Sequence, residues 1–319
     1  MSTSKWGITA AVAAGFFLAV NAPGYAQELN DFSKFYQGAP AIFGSVSGMS
    51  TLRSRPDNGT IVGNNPFTGT SFTTGRDFDF GWSKNVDATV GVRFWRTEAI
   101  ELRYFNFDTN ASHSFRTPGA FIGAGFTGPA NTLFEGQAMT SLESWELNWR
   151  HQLFEQLTVL VGYRQIRLMD SAHYAINTNV AFGEYDYVNK LRGVQIGFDW
   201  AVLPVANPFQ VNLIGKIGWY NLKASGGISE FQGAGHTFIG SFVGSDRDHV
   251  TGSEAGVVLG YRLSNNVMVR AAYQALWLND VALATNAASR SLLNPSLLRT
   301  VGHDNLLLQS VSVGLAIGY

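Results

Sequence analysis

The feature that most constrains the fold is a two-residue alternation of apolar and polar side chains in about ten separate segments. In "SWELNWRHQL" (144–153), Trp145, Leu147 and Trp149 occupy one set of alternate positions. The intervening positions hold Ser144, Glu146, Asn148, Arg150 and Gln152. Successive side chains of a strand point to opposite faces, so the segment has one apolar and one polar face. The fold depends on whether the apolar face packs into a soluble core or faces lipid.

The alternating segments are joined by connections that are alternately short and long. The segments run approximately over 41–53, 85–96, 99–110, 141–154, 157–170, 187–203, 209–224, 250–263, 267–283 and 306–319. The short connections are "TE" (97–98), "EQ" (155–156), "PVANP" (204–208) and "SNN" (264–266). The long ones lie near 54–84, 111–140, 171–186, 225–249 and 284–305.

This regular segregation of connection lengths is typical of outer-membrane barrels, which have short periplasmic turns, long extracellular loops and an even number of strands. The sequence therefore predicts an all-β fold over 41–319. We expect an antiparallel up-and-down transmembrane β-barrel of about ten strands, with both ends of the barrel chain on the periplasmic side. The apolar faces would then contact lipid and the polar faces the lumen.

Two segments do not alternate cleanly. The first, "AIFGSVSGMSTL" (41–52), is ambiguous in phase. In 157–170 the apolar positions shift between Tyr163 and Ile166, which predicts a β-bulge that would restore the phase.

Aromatic residues lie near both ends of the apolar faces, where the interfacial girdles of a membrane barrel are found. The predicted girdle consists of Trp82, Trp145, Trp219 and Trp277 toward the long loops, and Trp95, Trp200, Tyr261 and Tyr319 toward the short turns.

Composition narrows the function classes further. Charged residues are 14% of the chain, against about 25% in soluble domains, and the formal net charge is −1. A nucleic-acid partner is not expected, because no basic stripe is present. Cys is absent, which excludes disulfides and thiolate metal sites. We predict no cofactor and no metal.

The first 26 residues have the pattern of a secretory signal peptide. Lys5 precedes a short apolar stretch, Ile8–Val20, and small residues lead to an expected cleavage after Ala26. Residues 27–40, polar and aromatic, are expected to form a periplasmic N-terminal arm. The expected location is therefore the cell outer membrane.

Three stretches resemble the planctomycete-type β-barrel porins, the seventh class of that name. They are "GVRFWRTEAIELRYF" (91–105), "NKLRGVQIGFDW" (189–200) and "VRAAYQALWLNDVALA" (269–284). The likeness covers roughly 85–319 and is strongest in 269–284. It implies an outer-membrane barrel and brings no catalytic or ligand residues.

The predicted lumen contains seven basic and five acidic side chains, an excess of two positive charges. The predicted lumen-lining residues are Asp87, Arg93, Glu101, Arg103, Glu146, Arg150, Arg164, Asp199, Lys216, Glu254, Arg262 and Arg270. Strand register should bring Arg93 near Glu101 and Glu146 opposite Arg164. These charges could simply hold the interior together, since buried ions are usually paired, or they could line a narrow pore with mild anion preference. About eight strands leave an interior just filled by side chains, and ten is close to that limit.

Two Gly- and Phe-rich loops, 119–134 and 231–245, are too apolar to extend freely into water. We expect them to pack on each other or to fold into the barrel mouth as a lid. The first contains Gly123, Gly125 and Gly128 in a G-x-G-x-x-G pattern, but that motif needs a preceding strand and a following helix, so it is taken as coincidence.

Weak helical periodicity is present around 287–301.

Three functions from different classes remain, and we do not expect an enzyme. A narrow porin for small polar solutes or ions ranks first, a closed structural or adhesive surface barrel second, and a hydrolase third. Candidate hydrolase residues cluster in the loops, but a catalytic triad is defined by geometry rather than by spacing. They are Asp170, Ser171 and His173; Asp246, Asp248 and His249; and His303 with Asp304. His236 and His249 are weak metal candidates, and His151 is expected on the lipid face. Outer-membrane lipid is the expected partner, and the sequence does not indicate an oligomeric state.

Overall fold

The fold is known from a computed structural model, which describes residues 41–318 apart from 57–58, 65–70, 96, 124–125, 178–180, 204–206, 233–236 and 294–302. The expected signal peptide, the expected N-terminal arm, Tyr319 and His236 lie outside the described residues.

The described residues form fourteen strands, one α-helix and one short 3-10 helix at Gly75–Asp77. The strands are β1 Ala41–Arg53, β2 Thr60–Gly63, β3 Ser71–Thr74, β4 Ser83–Arg93, β5 Glu98–Arg116, β6 Phe121–Gly123, β7 Phe126–Gly128, β8 Leu133–Phe154, β9 Leu157–Ile176, β10 Ala181–Ala201, β11 Phe209–Gln232, β12 Thr237–Arg262, β13 Val267–Ala282 and β14 His303–Gly318. The helix, α1, spans Ala284–Leu293.

Ten of these strands close into a barrel in the order β1-β14-β13-β12-β11-β10-β9-β8-β5-β4, with β4 pairing back to β1. All the barrel pairings are antiparallel, and β1 pairs with β14 in a register that sets Phe43 opposite Gly318. The predicted ten-stranded up-and-down barrel is confirmed. We call the two ends of the barrel the short-turn end and the long-loop end.

Most strands are longer than expected, and the extra length lies at the long-loop end. The predicted long connections 171–186 and 225–249 are mostly strand, because β9, β10, β11 and β12 continue through them. The reason is that the side-chain pattern reverses along each of these strands, so their outer parts resemble loops in sequence.

In β5, the outward Ile100 and Leu102 near the short turns are 48% and 40% exposed. Further along the same strand the outward residues are the exposed Asp108 and Asn110, and the inward Phe107 is fully buried. The short-turn half of the barrel is thus apolar outside and polar inside, as a lipid-embedded barrel requires. The long-loop half is polar outside and apolar inside, like a soluble barrel.

This reversal corrects the prediction of a bulge in 157–170. No register irregularity occurs along β9 in its pairing with β10. Tyr163 faces outward, whereas Ile166 and Leu168 face inward and are fully buried. The change in the apolar phase marks the boundary between the two halves rather than an extra residue. The ambiguous first strand is resolved as well, since Ser45, Met49 and Thr51 are all buried inside.

The long-loop end is covered by a second, four-stranded sheet in the order β3-β2-β6-β7. The predicted lid is thus present for the loop 119–134, because β6 pairs with β2 and Phe121 is buried in the core of the mouth. The loop 231–245 is different: it extends the β11–β12 hairpin, and its Val243 is 78% exposed. Gly123 and Gly128 lie in β6 and β7, and the described element that follows them is β8, a strand.

The weak helical periodicity corresponds to α1, which lies between β13 and β14. Ala284, Ala287 and Ala288 of α1 are buried in the core of the mouth. No helix in the described part of the chain has the length and hydropathy needed to cross a bilayer.

Candidate functional site

The barrel interior forms three successive layers between the short-turn end and the long-loop end. We call them the vestibule, the ionic cluster and the apolar core. The vestibule is a cavity of about 210 Å³ whose lining includes Arg93, Glu101, Arg150, Asp199 and Arg270. A smaller cavity of about 90 Å³ lies between the vestibule and the next layer.

The ionic cluster lies in the short-turn half and draws one charged side chain from each of six strands. Its members are Asp87, Arg103, Glu146, Arg164, Lys216 and Glu254. All six lie on the inward set of alternate positions, because each strand presents its polar face to the lumen. Three are acidic and three are basic, so the cluster is electrically balanced.

Each of two glutamates contacts all three cations of the cluster. Glu146 lies 2.8 Å from Lys216 Nζ, 3.3 Å from Arg103 Nη1 and 3.6 Å from Arg164 Nε. The second glutamate, Glu254, lies 2.6 Å from Arg103 Nη1, 3.0 Å from Arg164 Nη1 and 3.5 Å from Lys216 Nζ. Burying ions is costly unless they are paired, and here every cation lies within 3.6 Å of both glutamates.

Uncharged side chains complete the cluster. Gln195 Nε2 and Asn148 Nδ2 donate to Glu146 at 2.9 and 3.2 Å. Arg103 uses Nε and Nη2 to bind Asp87 at 3.1 and 2.8 Å, a two-point contact that fixes the guanidinium plane. Glu146 and Arg164 are each 1% exposed, so within the described residues this layer is densely filled.

The apolar core fills the long-loop half above the ionic cluster. Its barrel-wall members include Phe105, Phe107, Phe134, Leu142, Ile166, Leu168, Tyr174, Tyr185, Leu191, Leu222, Leu276, Leu278, Leu306 and Leu308. Segments from the mouth contribute Ile61, Val62, Phe78, Phe80 and Phe121. The Arg103 and Arg164 guanidiniums lie 5.3 and 5.4 Å from the Phe105 ring centroid, where the ionic cluster meets the apolar core.

A group of four polar residues, which we call the latch, holds α1 and the end of β13 in the mouth. The latch consists of Arg53, Thr140, Asp170 and Asn189. Arg53 Nη1 donates to Asp170 Oδ1 at 2.7 Å and also contacts Thr140 Oγ1. Thr140 Oγ1 donates to the same carboxylate oxygen at 2.6 Å.

We call α1 together with the end of β13 at Ala282 the plug, and the latch binds it through backbone groups. The other oxygen of Asp170 accepts the Ala284 N–H at 2.8 Å, at the start of α1. Asn189 accepts the Ala282 N–H and donates to the Ala282 carbonyl, both at 2.8 Å. Asp170 and Arg53 are 1% and 2% exposed, so this attachment lies in a dry environment.

The twelve predicted lumen-lining residues are divided between two layers. Six form the ionic cluster, and the other six lie toward the short-turn end: Arg93, Glu101, Arg150, Asp199, Arg262 and Arg270. Since the ionic cluster is balanced, the excess of two positive charges belongs to the short-turn end. Arg150 bridges Glu101 at 2.6 Å and Asp199 at 2.9 Å, while Arg270 donates to Ser45 Oγ at 3.2 Å.

The two pairings expected from register have different outcomes. Glu146 lies directly opposite Arg164, and the prediction of their contact is confirmed. Glu101 lies opposite Gly91, while Arg93 lies opposite Ala99, and Glu101 forms its ion pair with Arg150. The sequence did not predict the ion-pair partners of Glu254 in the cluster or of Asp170 in the latch. Their contacts join strands that are distant along the chain.

The outward aromatic residues are placed as follows. Trp82, Trp95, Trp200, Trp219, Tyr261 and Trp277 are exposed, with accessible fractions between 45% and 66%. Trp145 is partly covered by Tyr104, with ring centroids 4.5 Å apart. His151 lies on the outward face, where Nδ1 is 2.5 Å from Glu98 Oε1.

The candidate hydrolase residues do not converge. Asp170 faces inward in the latch. Ser171 and His173 lie on the opposite, outward face of β9, and His173 is 3.9 Å from Glu184. At the rim, His303 lies 3.3 Å from Asp246. Among the described residues, no group of three or more His, Asp or Glu side chains is arranged to hold a metal ion.

Comparisons with known proteins concern the fold. No family model matches the chain, and no curated protein matches it. The outer-membrane protease OmpT from Escherichia coli is 11% identical, with a TM-score of 0.49 over 88% of this chain and 96% of its own. The translocator domain of the autotransporter NalP from Neisseria meningitidis is also 11% identical, with a TM-score of 0.41 over 99% of both chains. The Pseudomonas putida toluene transporter TodX is 7% identical, with a TM-score of 0.37 over 91% of this chain and 92% of its own. With identities of 11% or less and TM-scores below 0.5, none of these likenesses bears on activity.

Proposed function

We propose that this chain is a closed outer-membrane barrel that carries a rigid, water-facing extension of the barrel at the cell surface. The observation that carries the proposal is the reversal of side-chain polarity along the strands. The short-turn half has the apolar exterior of a lipid-embedded barrel. The long-loop half has the polar exterior and the apolar core of a soluble barrel. A barrel built in this way spans the membrane with one half and projects from it with the other.

The filled interior supports a closed state. A solute would have to pass both the ionic cluster and the apolar core, and each is made of side chains packed against one another. Opening the ionic cluster would separate paired charges in a poorly hydrated space, which is costly. Moving the plug would expose the apolar core and break the latch. The proposed role is therefore structural or adhesive: the long-loop half and its loops are exposed at the cell surface, and solutes do not pass through the barrel.

Planar-bilayer recording tests the proposal directly. The purified protein is expected to give no discrete conductance steps above leak at any applied voltage. A variant in which residues 284–302 are replaced by a short Gly-Ser linker should also stay silent, because the ionic cluster still fills the lipid-embedded half. Discrete steps from the unmodified protein would contradict the closed barrel.

A narrow porin is the second candidate, and the cavities at the short-turn end favour it. The vestibule and the 90 Å³ cavity follow one wall, and a 20 Å³ cavity beside Arg103 and Thr51 continues in the same direction. Rearrangement of Arg103 would join these spaces for small polar solutes or ions, and the excess positive charge would favour anions. Membership of the planctomycete-type porin class, implied by the sequence resemblance, belongs to this candidate. Steady anion-selective conductance would support it.

We also propose that the chain is not an enzyme. The supporting observation is that Asp170 is held by Arg53 and Ala284, away from Ser171 and His173. At the rim, the described ion-pair contacts of His303 are with Asp246 and Asp280, so no Ser or Thr nucleophile takes part in them. A hydrolase screen that detects activity lost in His173→Ala or His303→Ala would overturn this proposal.

A further inference from the structure

Four cations form an uninterrupted row across four adjacent strands on the outside of the barrel. We call this set the cationic row: Arg167, Lys190, Lys223 and Arg247. In the strand register, Arg167 lies opposite Lys190, Lys190 opposite Lys223, and Lys223 opposite Arg247. All four occupy outward positions and are exposed.

Such a row is unfavourable for the isolated protein. Side chains directly opposite on neighbouring strands have Cβ atoms only about 5 Å apart, and like charges there are destabilising. Acidic side chains beside the row include Glu143, which lies directly opposite Arg167, and Asp246 and Asp248, which flank Arg247 in sequence. Within the described part of the chain, no carboxylate forms an ion pair with any of the four cations.

The row has a fixed position relative to the lipid-facing surface. On three of its strands, the exposed Tyr163, Val194 and Trp219 lie four residues nearer the short-turn end than the cation of that strand. Four residues span about 13 Å along a strand, and the strand tilt of a membrane barrel reduces this to about 10 Å along the membrane normal. Lys and Arg side chains are long enough to reach back toward the interface, so their charged ends meet the headgroup layer.

A groove accompanies the row. It has a volume of about 600 Å³, and its lining includes Lys190, Arg192, Asn221, Lys223 and His249. Arg192, Asn221 and His249 lie in the next outward row, between the cations and the lipid-facing residues. The groove thus combines charged and neutral donors on a surface continuous with the lipid belt.

We propose that the cationic row and its groove bind the phosphate groups of lipids in the leaflet nearest the long-loop half. An anionic phosphate bound between two strands neutralises charges that otherwise repel each other. Clusters of Lys and Arg beside a membrane surface attract anionic headgroups by about 1 kcal/mol per residue, or about fivefold in affinity each. The inference rests on the membrane placement proposed above, since it requires lipid against the lower outer face.

The test uses phosphatidic acid, a lipid whose headgroup is a phosphate, added to the protein in nonionic detergent micelles. Lipid retained by the folded barrel is counted by native mass spectrometry. The test variant is Lys190→Gln with Lys223→Gln, and the charge-matched control is Lys84→Gln with Arg116→Gln, two exposed cations elsewhere on the barrel. Retention by the test variant is expected to fall roughly 30-fold, while the control retains phosphatidic acid as the unmodified protein does.

A second measurement separates binding from loss of folding. Without phosphatidic acid, the test variant should melt no lower than the unmodified protein, because it lacks all three repulsive contacts of the row. Equal retention of phosphatidic acid by both variants would overturn the inference. Glycerol phosphate competing as strongly as phosphatidic acid would also overturn it, since the site would then bind soluble phosphates. Failure of the chain to insert into lipid vesicles would instead refute the proposed membrane barrel, so the two failures are distinguishable.

Discussion

Replacing Glu146 with alanine is expected to lower the free energy of unfolding by about 3–5 kcal/mol, because the change leaves three buried cations short of one counter-charge. Glu146 lies within 3.6 Å of Arg103, Arg164 and Lys216, and it is 1% exposed. The remaining carboxylates of the ionic cluster cannot balance three positive charges in a space with little water. Urea unfolding of the barrel in phospholipid vesicles measures the change.

A double variant isolates the electrostatic part of this effect. Glu146→Gln with Lys216→Met removes one charge of each sign and should recover part of the stability lost in Glu146→Gln alone. Glu143→Gln, on the outward face of the same strand, is the control and should change stability by less than about 0.5 kcal/mol. A loss below about 1 kcal/mol in Glu146→Ala would mean that water reaches the cluster, which favours the porin candidate.

Asp170→Ala is expected to release the plug as well as to destabilise the barrel. The substitution removes the ion-pair partner of Arg53 and the acceptor of the Ala284 N–H at the start of α1. Losing one partner of a buried ion pair costs about 3–5 kcal/mol. Trypsin added to the long-loop side of vesicles should then cut after Arg290, within α1, many times faster than in the unmodified protein.

Two comparisons separate release of the plug from general destabilisation. Asn189→Ala removes two hydrogen bonds to Ala282 but no charge, so a smaller increase in cleavage is expected. Asp186→Ala changes an exposed aspartate on β10 and should leave both stability and cleavage unchanged. If Asp170→Ala is destabilised while cleavage after Arg290 stays at the unmodified rate, the latch does not hold α1.

The barrel itself was predictable because its signal is local. A period-two pattern and the lengths of the connections define strand number and the orientation of each face without any knowledge of distant contacts. The same reasoning placed Glu146 opposite Arg164, since a two-residue turn joins their strands. Prediction became wrong where the polarity reversed. At Ile166 and Leu168 the apolar residues change from the outward to the inward face of β9. In the sequence, this boundary between the two halves of the barrel has the same pattern as a β-bulge.

The latch could not be predicted for a different reason. Arg53 and Asp170 are 117 residues apart in the chain, and their contact depends on the closure of the whole barrel. Asp170 also lies next to Ser171 and His173, a combination that suggested catalysis more readily than structure. The available signal was a carboxylate at an inward position flanked by the inward apolar residues Leu168 and Ala172, which requires a buried cation.

The pairing of β1 with β14 has a consequence for assembly. The first and last barrel strands along the chain join along an unbroken register from Phe43 with Gly318 to Arg53 with Leu308. Without β14, β1 and β13 each have a free edge, whose backbone groups would find no partners in hydrocarbon. The barrel wall therefore closes only when β14 pairs with β1 and β13. A chain that stops before β14 would have two unpaired strand edges, which can pair with other chains and aggregate. Closure of the wall therefore depends on the sixteen residues of β14, which pair with both β1 and β13.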